Sequence, residues 1–139
     1  GLDRFARFGL PITITEFDMN TTDTGIQAAY MRDFMTAAFS HPAVDGIIMW
    51  GFWEGRHWLP DAALFTRDWQ IRPHGTVYQD LVRKQWWTNT AGITDEKGVV
   101  KTRGFYGDYS VTVTLPNGGT KTVPAKIVKG AKNEITVTL

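Results

Sequence analysis

The sequence has no cysteine. Disulfides and thiolate-held metals are therefore excluded, and the cellular compartment stays open. Histidine is scarce too: His41, His57 and His74 are scattered, and neither a metal site nor a cofactor is expected. No sign of charge prevails. The 15 Lys and Arg are interspersed with 14 Asp and Glu, for a net charge of +1, so nucleic acid and anionic membranes find no field to read. No apolar run approaches the roughly 18 residues of a membrane span, and there is no repeat or low-complexity tract. An initial Met is missing as well. Gly1–Phe8 is too short and too charged for a signal peptide, and the chain opens in a helix-like segment, so it reads as a cut end.

Aromatic residues are what the sequence has in plenty. Of 139 residues 13% are aromatic, and the six tryptophans cluster between Trp50 and Trp87. A chain of this length buries one modest core or two small ones. Two stretches organise it, Leu10–Asn20 (LPITITEFDMN) and Gly46–Trp58 (GIIMWGFWEGRHW). Each reads as a short apolar strand, buried on both faces, that ends abruptly in polar and aromatic residues. The first delivers Glu16 and Asp18. The second leads into Trp50, Trp53, Glu54, Arg56, His57 and Trp58. Sites in α/β sheets and barrels are built just past the carboxyl ends of such strands.

In chain order, Leu2, Phe5 and Phe8 have helical spacing before Gly9, a left-handed helix stop. Thr21, Thr22 and Asp23 start a helix whose inward residues are expected at Ile26, Tyr30, Phe34 and Ala38, and Pro42 ends it. Pro73 opens another helix, with Val77, Tyr78, Leu81 and Val82 inward. The order helix, strand, helix, strand, helix predicts a parallel βαβ unit with flanking helices. After Trp87 the character changes. Val99, Val100, Phe105, Tyr109–Leu115, Thr120–Val128 and Glu134–Leu139 are β-branched or alternating, and Asn117-Gly118-Gly119 is a hairpin turn. The expected architecture is α/β over 1–87 followed by all-β over 88–139, the latter a small antiparallel sandwich of five or six strands.

Glycoside hydrolysis uses two carboxyl groups across the scissile bond, and sugar faces pack on indole planes. Glu16 suits a nucleophile, and Trp50 and Trp58 suit sugar platforms. Trp53, Trp69, Trp86 and Trp87 are read as packing residues, and His41 as a helix terminator.

Leu10–Asn20 resembles the seventh-strand segment of family 10 glycoside hydrolases, the endo-β-1,4-xylanases, whose nucleophile lies in an I-T-E-L/F-D motif; here it is Ile14-Thr15-Glu16-Phe17-Asp18. Gly46–Leu64 is similar to the eighth-strand segment, W-G-x-x-D-x-x-S-W. Trp50 and Gly51 match its first positions, and Trp58 follows Trp50 by eight residues. Glu54 stands in place of the family's Asp, where its longer carboxylate is expected to reposition the loop or pair with Arg56. His57 stands in place of its Ser, either at the substrate or as a loop imidazole stacking on tryptophan. The likeness covers Gly1–Trp86.

The resemblance implies strands seven and eight of a (β/α)8 barrel, a fold of about 250 residues. It implies a retaining xylan hydrolase with Glu16 as nucleophile and Trp50 and Trp58 against the sugar. Asp18, Asn20, Glu54, Arg56 and His57 are the further substrate-binding candidates. The family's fourth-strand acid/base has no counterpart here, which marks a fragment or a truncated product. Secretion is expected from the polymeric substrate, xylan or a related β-1,4-linked polysaccharide. Open strand edges imply self-association into a homo-oligomer, in which Glu54 or Asp18 stands in as proton donor. The alternative is a non-catalytic carbohydrate-binding or structural remnant.

Overall fold

A computed structural model describes residues 1–138. The chain divides into two compact units, Gly1–Gln85 and Trp86–Leu139.

In the first unit, α1 (Leu2–Ala6) stops ahead of Gly9, which adopts the left-handed φ of +71° expected of a helix stop. Strand β1 (Ile12–Phe17) and strand β2 (Val44–Met49) form a two-stranded parallel sheet. Between them runs α2 (Thr24–Ser40). The Asp23 side chain caps α2 by accepting from the Gly25 and Ile26 N–H groups, a contribution of about 1 kcal/mol. Helix α3 (Pro73–Asp80) has Pro73 in its first turn and continues as a π-helical turn, Leu81–Gln85.

The β1–β2 register is irregular. Ile14 pairs with Ile47 and Phe17 with Met49, so β1 advances three residues where β2 advances two. The extra residue falls at Thr15–Glu16, a bulge of the kind that re-aims a side chain. Phe17 is 5% exposed and turns toward α2, stacking on Phe34 with centroids 4.2 Å apart. Such a pair contributes about 0.5–1.5 kcal/mol beyond its buried area. Glu16, its neighbour along the pleat, points away from α2 and is exposed.

Two expectations are corrected here. The buried face of α2 is Gln27, Met31, Met35 and Ala38, whereas Ile26 and Tyr30 are exposed. Phe34 of the expected set stacks on Phe17 and Ala38 is buried, but the sealed positions at the start of the helix lie one place on from Ile26 and Tyr30, and Gln27 enters because it finds two acceptors. The strands are also not buried on both faces: Thr13, Thr15, Glu16 and Ile48 are exposed, because helices cover one face only.

In the second unit, β3 (Gly107–Thr114) and β4 (Thr120–Ile127) form an antiparallel hairpin with eight consecutive pairs, including Ser110 opposite Pro124. The turn closes by Gly118 N–H donating to the Leu115 carbonyl and Gly119 N–H to Asn117 Oδ1. Along β3, Tyr109, Val111 and Val113 alternate with exposed Asp108, Ser110 and Thr112. The Tyr109 hydroxyl donates to the Phe105 carbonyl at 2.7 Å. Neither the Val99–Phe105 run nor residues 131–138 form a strand among the described residues. Both rise from loops tied by side chains, such as the Asp95 carboxylate accepting from Lys97 and Val99 N–H. The last residue of the expected strand Glu134–Leu139 lies outside the described residues.

His74 on α3 is 2% exposed, with Nε2 3.3 Å from the Ala62 carbonyl and Nδ1 buried without a partner among the described residues. Burial pushes its pKa below the ordinary 6.5; the Arg72 charge adds to this, and the hydrogen bond to the Ala62 carbonyl opposes it. The unfolded chain therefore takes up this proton at a higher pH than the folded one. Stability from this group is complete above pH 6.5 and falls as pH drops from there toward the lower folded-state value. Urea unfolding at a series of pH values is expected to show this decline, and His74→Gln to flatten it; an equal slope in both proteins contradicts the assignment.

Candidate active site

The carboxyl ends of β1 and β2 bring the two organising stretches together. The Trp50 N–H donates to the Phe17 carbonyl at 3.0 Å, extending the parallel ladder one step past β2. That bond sets Trp50 beside the residue that follows Glu16. Trp50 is 48% exposed. Eight residues on, Trp58 Nε1–H donates to Asp18 Oδ2 at 2.9 Å. The Glu16 side chain carries no hydrogen bond or ion pair among the described residues and is exposed at the strand end.

The other candidates divide. Glu54 is engaged elsewhere: its Oε2 accepts from Arg72 Nη2 at 2.9 Å, and its Oε1 lies 3.7 Å from Arg67 Nε. The expected partner, Arg56, is exposed and makes no such pair; the turn at Trp53–Arg56 directs it away from Glu54, whereas Arg72 returns alongside through the Phe65–Ile71 bridge. Arg72 Nη1 also donates to the Pro60 and Asp61 carbonyls. His57 is buried, its Nδ1 accepting from the Leu59 N–H at 3.0 Å. The expected stacking of this ring on tryptophan is replaced by packing against the Gly51 backbone. At Gly51 φ is +124°, and a Cβ would come within 2.9 Å of the imidazole Cδ2. Asn20 is exposed, with no side-chain bond among the described residues.

Trp53 and Trp69 stack at 5.5 Å with planes 13° apart, and Trp69 is held at a left-handed φ of 64° by the Thr66–Gln70 turn. Trp87 is 66% exposed. His41 caps the end of α2. A separate apolar cleft, lined by Ile48, Met49, Phe52 and Tyr78, includes neither Glu16 nor Trp58.

Sequence reasoning passed over Gln27. This side chain is 1% exposed, and its Nε2 donates at 2.8 Å both to the Met19 carbonyl and to the Asp61 carbonyl. It thus fastens the loop carrying Asp18 to the loop carrying Trp58. A glutamine four residues after a helix N-cap, with no polar face around it, was the available signal. Gln27→Leu keeps the volume and strands two carbonyls, so denaturant unfolding is expected to show a loss of roughly 2–4 kcal/mol; a loss under about 0.5 kcal/mol, the range of an ordinary surface substitution, contradicts this role.

The sequence model of glycosyl hydrolase family 10 matches residues 1–82. Among similar proteins, the anti-sigma-I factor RsgI6 of Acetivibrio thermocellus is 42% identical over 119 residues, which are 85% of this chain and 16% of that protein. Endo-1,4-beta-xylanase 1 of Arabidopsis thaliana is 35% identical over 112 residues, 81% of this chain and 12% of that protein. Endo-1,4-beta-xylanase B of Cellvibrio japonicus is 32% identical over 65 residues, 47% of this chain and 11% of that protein. The chain thus spans less than a fifth of the length of these relatives. A family match over more than half of the sequence, on the unit that carries Glu16 and the two exposed indoles, gives its descent: the chain belongs to glycosyl hydrolase family 10.

Proposed function

We propose that the chain carries the nucleophile half of a retaining endo-1,4-β-xylanase site, with Glu16 as nucleophile and xylan or a related β-1,4-linked polysaccharide as substrate. The observation that carries this reading is the convergence of an unpartnered Glu16 with Trp50 at one sheet end, through the Trp50 N–H bond to the Phe17 carbonyl. A retaining mechanism needs a second carboxyl group about 5–5.5 Å from the nucleophile, first as acid and then as base. Asp18 is bonded to Trp58 and Glu54 to Arg72, so neither is a ready donor, and the acid belongs to barrel elements beyond this chain's share of the family fold. In this reading residues 1–87 are the closing part of a (β/α)8 barrel and 88–139 an accessory β domain built on the β3–β4 hairpin rather than the expected five- or six-stranded sandwich, and the protein acts outside the cell on its polymer.

A second reading is binding without turnover. It draws on RsgI6, named an anti-sigma-I factor rather than a hydrolase. Reducing-sugar release from xylan by the barrel that this chain completes, run beside a pull-down on insoluble xylan, separates the two. Release that falls by at least about a hundredfold in Glu16→Gln, with retention on the polymer unchanged, supports the nucleophile. Retention without release supports the second reading. Equal release from the variant and its parent refutes the role given to Glu16.

The open edges of β1 and β2 and the exposed Leu10, Ile48 and Phe52 favour self-association. Light scattering is expected to give a mass that is a multiple of one chain; a clean monomer at high concentration contradicts it.

A further inference from the structure

Trp58 is 67% exposed, and no ring stacks on it among the described residues. An indole so placed has little packing to choose its rotamer. Its one directional restraint is the Nε1–H bond to Asp18 Oδ2, at 2.9 Å and across 40 positions of sequence. The N–H lies in the ring plane at the indole edge, so the bond anchors that edge and leaves both faces open. The acceptor is a carboxylate oxygen, a class of acceptor that makes short, strong hydrogen bonds. The anchor is also rigid. Asp18 follows Phe17, which is buried and stacked on α2, and precedes Met19, whose carbonyl is held by Gln27.

We infer that Asp18 is a positioning residue: it fixes the plane of Trp58, so that the indole meets a sugar ring already oriented rather than being ordered by it. This assigns Asp18 a role through Trp58 in place of direct sugar contact, and rests on the carbohydrate reading of the site. Ordering a side chain in advance removes that cost from binding. An asparagine keeps an acceptor oxygen at the same reach; an alanine does not.

The test uses the full chain labelled with 15N-tryptophan, the Trp58 indole signal being identified by its loss in Trp58→Phe. In Asp18→Ala this signal is expected to move toward the free-indole position and its N–H to exchange with water at least about tenfold faster, while Asp18→Asn keeps both close to the parent. Titration with xylohexaose is expected to show affinity about fivefold weaker in Asp18→Ala and within about twofold of the parent in Asp18→Asn. An unmoved signal in Asp18→Ala overturns the inference, and so does a moved signal with unchanged affinity. If Asp18→Ala does not fold, Asp18→Ser, too short to reach the indole, takes its place. A parent chain that binds no xylohexaose overturns the carbohydrate reading itself, and the indole signal still decides whether Asp18 fixes the ring.

Discussion

The buried amide of Gln27 is the restraint on which the site geometry depends. Two loops leave the carboxyl ends of β1 and β2, and nothing in an isolated loop fixes its path. Gln27 offers two N–H bonds from one nitrogen, and each loop contributes one carbonyl, at Met19 and Asp61. Both polar groups are thereby satisfied in the interior, where an unpaired carbonyl is costly. Because Gln27 is in the first turns of α2, the helix that also packs on Phe17, the strand and both loops share one support. A shift of α2 moves all three together, and their relative placement is preserved.

Above that support the loop after β2 holds itself together. Glu54, Arg67 and Arg72 form a charged cluster whose central guanidinium also binds two carbonyls of the Pro60–Ala62 turn. Trp53 lies on Trp69, and its Nε1–H reaches the Arg67 carbonyl. The tryptophans thus fall into two populations within twenty residues. Trp53 and Trp69 stack one face on each other, whereas no ring stacks on Trp50 or Trp58 among the described residues. A fold that closes its loop with one pair of indoles is free to present the other pair, and presentation of flat apolar faces is what carbohydrate contact requires.

Much of this was legible in the sequence because it is written locally. Asp23 as a cap, Pro73 in a first turn, Gly9 as a stop and Asn117-Gly118-Gly119 as a turn each act through their own backbone neighbours. The parallel pairing of Ile12–Phe17 with Val44–Met49 follows from two β-branched runs with a helix between them, and Glu16 and Trp50 fall at its end as their positions in those runs imply. What escaped reading depends on contacts distant in sequence. The face of α2 was misjudged because Ile26 and Tyr30 are apolar and Gln27 is not; only the carbonyls of Met19 and Asp61 make a buried glutamine favourable. Glu54 was matched with its near neighbour Arg56, while the chain reversal through Phe65 and Ile71 supplies Arg72. His57 was read as a loop imidazole, yet the missing Cβ at Gly51 admits it to the interior. Beyond Trp87, Val99 and Val100 have strand-forming side chains, but the Asp95 carboxylate holds their neighbourhood in a turn.

Pro124 has a bearing on how the second unit meets other chains. It occupies β4 opposite Ser110 without breaking the run of pairs, and proline within a ladder keeps its ring nitrogen on the side that is not paired. The outer rim of β4 thus has a gap in its row of donors midway along its length. An incoming strand would find its zipper interrupted there, so sheet growth from this hairpin is directed to the β3 rim.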